Sequence, residues 1–229
     1  MRGTNQFQLL PFRIEHANNQ ADFQAVVHAR QLAYGKHLPA FGQSLLTPDA
    51  DDLGNDCAVL IAKSKLDNSC IGTVRIQVTQ QGRLRLEDSF VLPKALRAGR
   101  VAEISRLAIP SGPNGLALRL MLIKAAYWYS RSQHVERCFL CVRHPVDRQY
   151  RRFDLEDVLP GEQFVPMQHI GNIPHRILWF DVLGIEARWL LNNNPLHANF
   201  FEVQHPDLLD NVQARTQLLE SERTLHVQG

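Results

Sequence analysis

The segment Val101-Ala-Glu-Ile-Ser-Arg-Leu-Ala-Ile109 places a carboxylate and a guanidinium three residues apart inside an otherwise apolar strand pattern. In a regular strand Glu103, Ser105 and Leu107 share one face while Arg106 points to the other. A β-bulge would turn Glu103 and Arg106 toward one cleft, and bulges recur beside active sites. Glu103 would then be a general base and Arg106 its charge partner or a substrate clamp. The same tetrapeptide also reads as a structural ion pair between neighbouring strands. Arg30 lies on the apolar face of a helix, where it either snorkels to the surface or is buried and needs a carboxylate. Asp49, Asp51 and Asp52 follow in the next loop. Arg75 shares the polar face of its strand with Thr73 and Gln77, so Arg30, Arg75 and the loop aspartates are candidates for one polar network lining a cleft.

Further charge lies near residue 150. Arg148, Arg151 and Arg152 fall at i, i+3 and i+4, one stripe of a short helix, with Arg143 just before it. Such a stripe is commonly a solvated face and otherwise a docking surface for an acidic partner. Cys138 and Cys141 form a C-x-x-C, but odd spacing on a strand points them opposite ways. The ten histidines include no H-E-x-x-H, so no metal site is expected.

These side chains need a scaffold. Residues 9–15 read as a strand and 22–37 as a helix, with Phe23, Val26, Val27, Arg30 and Tyr34 on one face. A loop (39–55) follows, then an antiparallel hairpin, 57–63 and 70–79, turning at Asp67-Asn68. A polar stretch leads to a strand at 101–109, a helix at 116–132 that is apolar nearly all round, a strand at 137–142, and a short helix at 144–153 opened by Pro145. Late strands are expected at 163–168 and 175–182 and a helical turn at 186–191. The order argues an α/β (α+β) protein with a mixed sheet covered by helices. The expected organisation is one domain over residues 1–211 and a polar tail over 212–229.

In chain order, Arg30 and Tyr34, Asp49 and Asp52, Ile71-Gly-Thr-Val-Arg75 and Glu103-Ile-Ser-Arg106-Leu resemble the acyl-homoserine-lactone (autoinducer) synthases. They resemble still more closely the long-chain N-acyl amino acid synthases; both are branches of the GNAT N-acyltransferase fold. The resemblance covers about residues 10–155. It implies a GNAT-like fold and transfer of a medium- or long-chain acyl group from acyl carrier protein, or coenzyme A, to an amine. It implies a charged substrate-binding cluster of Arg30, Tyr34, Asp49, Asp52, Arg75 and Arg106, with Glu103 as base and with Arg75 or Arg106 binding the substrate carboxylate. The tryptophan that autoinducer synthases carry after the Arg30/Tyr34 pair has no counterpart here, which counts against S-adenosylmethionine as the amine substrate, and the phrase Glu103-Ile-Ser-Arg-Leu-Ala108 is closer to the amino acid synthase branch.

The resemblance also gives meaning to Gly112-Pro-Asn-Gly115, a turn before the long helix where free N–H groups and the helix dipole can meet a phosphate. Gly112 stands where GNAT acetyltransferases carry an Arg or Gln for the coenzyme A pyrophosphate, leaving room for a single phosphopantetheine phosphate. Leu107 and Ile109 would present backbone N–H groups to the oxyanion. Tyr150, six residues after His144, matches the tyrosine that protonates the leaving thiolate in many GNAT members, and otherwise packs at a helix end. Arg143, Arg148, Arg151 and Arg152 would dock the acidic carrier protein. No tightly bound cofactor is implied; the thioester is a substrate. The alternatives are an acetyl-coenzyme A acetyltransferase and a non-catalytic acyl-binding module of the same fold.

Composition narrows the classes. The 229 residues are 45% hydrophobic and 21% charged, which excludes wholesale disorder. A net charge of +2 is too balanced for a protein held mainly by nucleic-acid phosphates. Four cysteines are too few for a disulfide scaffold. No apolar run reaches the ~20 residues that span a bilayer, and no leader pattern opens the chain, so the expectation is a cytoplasmic protein without integral membrane contact.

Overall fold

Alternation of side chains builds two faces onto one sheet. The first strands, β1 (Gln6–Phe7) and β2 (Phe12–His16), precede α1 (Gln20–Gly35) and α2 (Pro39–Ser44). The hairpin strands β3 (Cys57–Ser64) and β4 (Cys70–Thr79), the short helix α3 (Lys94–Arg97) and β5 (Val101–Ala108) follow. Next come α4 (Gly115–Ser132), β6 (Arg137–Arg143), α5 (Asp147–Tyr150), β7 (Glu156–Asp157), β8 (Val165–Met167) and β9 (Ile173–Asp181). The last elements are α6 (Ile185–Leu191), a π-helical turn (Ala198–Glu202) and β10 (Val203–Gln204). The structure is a computed structural model and describes residues 6–110, 115–209 and 216. The 212–229 tail and Gly112 lie outside the described residues, Thr216 excepted.

The main sheet runs β2-β3-β4-β5-β6-β9-β7, with β8 also on β9. Every pairing is antiparallel except β5 with β6. Leu60, Ala62, Val74, Ile76, Ala102, Ile104 and Leu140 face α4, whose Leu118, Met121, Leu122, Ala125 and Trp128 complete that core. On the opposite face Val59 and Ile61 pack on Val26 of α1, and Val101 and Phe139 pack under Leu84, Leu86 and Leu92. Residues one apart on a strand thus belong to different layers.

Two departures from regular pairing matter for function. The parallel ladder of β5 and β6 stops at Ile104 opposite Leu140, although both strands continue. Across β4, Arg75 pairs with Ser105 and Thr73 with Ala108, so β5 carries one extra residue, a bulge. Arg106 takes the extra position with a left-handed φ of 53°.

The structure corrects several sequence-based element assignments. The 39–55 loop contains α2 and a 3-10 turn (Ala50–Leu53), and the polar stretch before β5 contains a 3-10 turn (Arg85–Asp88) and α3. Gly42 lies so close to α1 that a Cβ would sit 2.6 Å from the Gly35 Cα, which folds α2 back onto α1. The helix at 144–153 is shorter: α5 begins at Asp147, Pro145 precedes it behind a cis bond, and a 3-10 turn (Arg151–Phe153) continues it. At the C-terminal side, Lys124 of α4 donates to the carbonyls of Asn199 and Val203 at 2.6 Å each and meets His205 Nδ1 at 2.9 Å. These bonds tie the π-helical turn to the central helix. No described helix is long and apolar enough to cross a membrane.

Candidate active site

Beyond Ile104 and Leu140 the separating strands open a cavity of about 430 Å³. Its β5 wall is Glu103 to Ile109 and its β6 wall is Leu140 to Arg143. Because Glu103 and Ile104 face opposite layers, the cavity passes through the sheet. Arg75, Glu103, Tyr34, His169 and His175 line one side, and Ile123, Arg119 and Tyr150 the other. The bulge brings Glu103 and Arg106 into this one space.

Glu103 is 1% exposed. Its Oε2 accepts the Leu86 N–H at 2.7 Å, while Oε1 is buried with no hydrogen-bond partner. Burial raises its pKa above the ordinary carboxylate value, against the Leu86 N–H and the nearby guanidiniums of Arg75 and Arg106. A carboxylate held by one oxygen and open at the other is arranged to take a proton.

The aspartate-rich loop joins Arg30, Arg75 and Arg106 in one network, only part of which lines the cavity. Arg30, 1% exposed, donates to both oxygens of Asp52, at 2.5 and 3.2 Å. Arg75, equally buried, donates to Ser105 Oγ and Asp49 at 3.2 Å and to Asp51 at 3.4 Å, and lies 3.7 Å from Asp52. Arg106 donates to Asp49 at 2.8 Å, and its guanidinium sits over the Phe41 ring. Arg106 and Arg75 hold Asp49 down at about 2 against the desolvation that would raise it. Tyr34, Arg75 and Arg106 reach the cavity; Arg30, Asp49 and Asp52 stand behind it. Arg30 and Asp52 therefore brace Arg75 from the α1 side rather than line the cavity.

Leu107 and Ile109 both line the cavity, and the Tyr34 hydroxyl donates to the Leu107 carbonyl at 3.4 Å. Tyr150 is buried, with its phenol pushed up to about 12 by desolvation. It also lines a second, wholly apolar pocket that shares Ile123 and Leu140 with the cavity and continues to Phe153, Phe180, Trp189 and Phe200. That pocket holds about 20 Å³ of open space, so its side chains must part to admit a chain. Gly115 begins α4 and does not line the cavity. Arg143 belongs to the cavity wall, whereas Arg148, Arg151 and Arg152 are exposed outside it, with Arg151 3.5 Å from Glu162. Among the described residues, no group of three His, Cys, Asp or Glu could hold a metal ion.

Sequence reading missed His169, His175, Phe41 and Arg85. Burial, with Arg106, Arg85 and Arg75 nearby, pushes His169 down to about 4. The signal for Arg85 was present in Arg83-Leu-Arg85-Leu-Glu-Asp88, where buried leucines alternate with arginines. The histidines sit near the late strand pair, where the sequence carries no periodicity to aim them.

Residues 27–167, well over half of the chain, match the family model described as N-acyl amino acid synthase FeeM. No curated protein matches the chain in sequence. Among solved structures, FeeM from uncultured soil microbes superposes with a TM-score of 0.60 at 12% identity, covering 80% of this chain and 96% of that one. The coenzyme A-dependent acyl-homoserine lactone synthase BjaI gives 0.53 at 16%, covering 90% and 99%. An acetyltransferase of the GNAT family from Desulfovibrio desulfuricans gives 0.53 at 13%, covering 75% and 99%. The fold is that of the GNAT acyltransferases.

Proposed function

The chain belongs to the FeeM family of N-acyl amino acid synthases, and we propose that it moves a medium- or long-chain fatty acyl group from acyl carrier protein to the α-amine of an amino acid. The observation that carries this reading is Glu103, buried in a cavity that passes through the sheet, with one oxygen fixed by Leu86 and the other free.

An amine attacks a thioester only when neutral. Glu103 Oε1, directly or through a water, takes its proton as the nitrogen closes on the carbonyl carbon. Backbone N–H groups around Leu107 and Ile109, where β5 has left β6, receive the tetrahedral oxyanion. Collapse restores the carbonyl and breaks the C–S bond. A phenol near 12 stays protonated, so Tyr150 donates a hydrogen bond to the departing sulfur; full transfer to a thiolate whose acid lies near ~8.5 is uphill. Arg106, braced by Asp49, supplies positive charge to the acceptor side. The apolar pocket behind Tyr150 takes the acyl chain, since it opens from the cavity at Ile123 and Leu140.

The exposed Arg148, Arg151 and Arg152 beside Tyr150 favour an acidic carrier protein as donor. BjaI, by contrast, is a coenzyme A-dependent synthase. Lipid mass spectrometry of cells expressing the wild type or Glu103→Gln tests the proposal. A series of acyl-amino acids in the wild type alone is the expected result. No new lipid in either culture, or the same series in both, contradicts it.

A further inference from the structure

On the face of the sheet away from α4, a second open cavity of about 340 Å³ meets the first. It is lined by Arg83, Arg85, Asp88, Gln168 and His169, and His169 lines both cavities. Its lining sets two guanidiniums against one carboxylate, and Asp51, outside the lining, also reaches Arg85. Arg85 is the better placed of the two. Its Nη1 meets Asp88 at 3.0 Å and its Nε lies 3.4 Å from Asp51, while Nη2 has no partner among the described residues. The Arg85 side chain is 40% exposed, so that edge is open to a ligand.

The backbone ties this subsite to the reacting centre. Arg85 immediately precedes Leu86, whose N–H holds the Glu103 carboxylate at 2.7 Å, and the Arg85 N–H is itself fixed by Gln77 Oε1 at 3.1 Å. One 3-10 turn, Arg85–Asp88, therefore sets both the base and the guanidinium. Arg83, in the same lining, donates to the Glu87 carbonyl at 2.6 Å, while Arg75 and Arg106, which line the first cavity, are engaged with the aspartate loop. Arg75 spends its donors on Ser105, Asp49 and Asp51, and Arg106 is bonded to Asp49 and stacked on Phe41. The opposite side of the sheet, with Arg119, Tyr150 and the apolar pocket, suits the acyl thioester, which leaves this cavity to the acceptor.

We propose that the Arg83–Arg85–His169 cavity is the acceptor subsite, and that Arg85 reads the α-carboxylate of the amino acid whose amine faces Glu103. The inference rests on the N-acyl amino acid synthase reading and deepens it. In an α-amino acid the amine and carboxylate are joined through a single carbon, so one molecule can present them to neighbouring groups of this turn. Burial keeps His169 neutral at physiological pH, so the charge that meets the carboxylate comes from the arginines, and the imidazole can hydrogen-bond the acceptor from the wall between the two cavities.

The test uses the purified protein, a long-chain acyl thioester, and the amino acids alongside their carboxamides. The wild type should prefer acid over amide at least ~10-fold in kcat/KM, as expected of a charge-assisted guanidinium–carboxylate pair. Arg85→Ala should bring that ratio toward one by raising the acceptor KM, with the donor KM unchanged. Arg85→Gln, which keeps hydrogen-bonding groups but no charge, should do the same and serves if the first variant melts early. Preserved discrimination in both variants, or a wild type that accepts acid and amide alike, overturns the assignment of Arg85. A wild type that acylates neither series on any thioester overturns the synthase reading itself.

Discussion

Two buried carboxylates sit on either side of Arg75, and they are treated oppositely. Asp52 accepts two bonds from Arg30 and one from the Asp49 N–H at 3.2 Å. Glu103 accepts one N–H and leaves Oε1 bare. An unpaired buried polar atom costs roughly 1–3 kcal/mol, and Glu103 bears that cost at an oxygen of a residue that lines the cavity. Asp52, with both oxygens bonded, belongs to the part of the network that holds shape. On the proposed reading the open oxygen of Glu103 is the one that takes the proton.

The largest expected effect falls on the saturated side. Arg30→Ala leaves Asp52 charged and buried, and breaking such a pair costs roughly 3–5 kcal/mol. Denaturant unfolding should show that loss. The double variant Arg30→Met with Asp52→Leu should recover much of it, because apolar replacement of both partners removes the uncompensated charge. An unchanged midpoint for Arg30→Ala would erase the contrast.

Glu103 should respond to pH in the opposite sense to a paired carboxylate. Its folded pKa lies above its unfolded one, so the folded state binds the extra proton between the two values. Its stabilising contribution is present below the unfolded pKa and is lost as pH rises through the folded pKa. Glu103→Gln, neutral at every pH and still able to accept the Leu86 N–H, should melt no lower than the wild type at pH 8. Wild-type kcat/KM should fall as pH drops through the raised pKa, a limb lying above the usual range for Glu. Asp49, held at about 2, contributes the other way: its share is present above the unfolded value and lost as pH falls toward 2. A thermal-shift series from pH 3 to 8 on both proteins resolves the two signs.

Tyr150→Phe should lower turnover about tenfold, the worth of one hydrogen bond of ~1.4 kcal/mol in the transition state. A loss of ~10³-fold would mean that the phenol delivers its proton fully. The smallest effect belongs to the outer surface. Reversing Arg148, Arg151 and Arg152 to Glu should raise KM for acyl carrier protein several-fold while sparing a small acyl-pantetheine thioester. Salt should weaken the wild type toward the variant, since exposed charges are screened beyond ~10 Å at 0.1 M. Equal loss on both thioesters would place the arginines in the structure of the turn instead.

What the sequence disclosed follows the same division. Arg30 on an apolar helix face, followed by three loop aspartates, left two solutions open, snorkelling or a buried pair, and the structure takes the second. The hairpin and α4 were legible because turn residues and continuous apolar runs are local signals. The bulge at Arg106 was legible only as a condition on Glu103, since register depends on the partner strand. The α2 helix was hidden by Pro39 and Gly42, which read as loop until the close approach to Gly35 is seen. His169 and Arg85 stayed out of sight because tertiary packing between distant turns sets their positions.

Single-turnover acyl transfer by the purified protein, from a long-chain acyl thioester to an amino acid, tests the central claim most directly when wild type and Glu103→Gln are compared at pH 8. The account predicts at least a ~10²-fold slower rate for Glu103→Gln, the low end for removal of a general base, with a melting temperature no lower than that of the wild type. A rate within a few-fold of wild type would contradict it, and would return Glu103 to the same structural standing as Asp52.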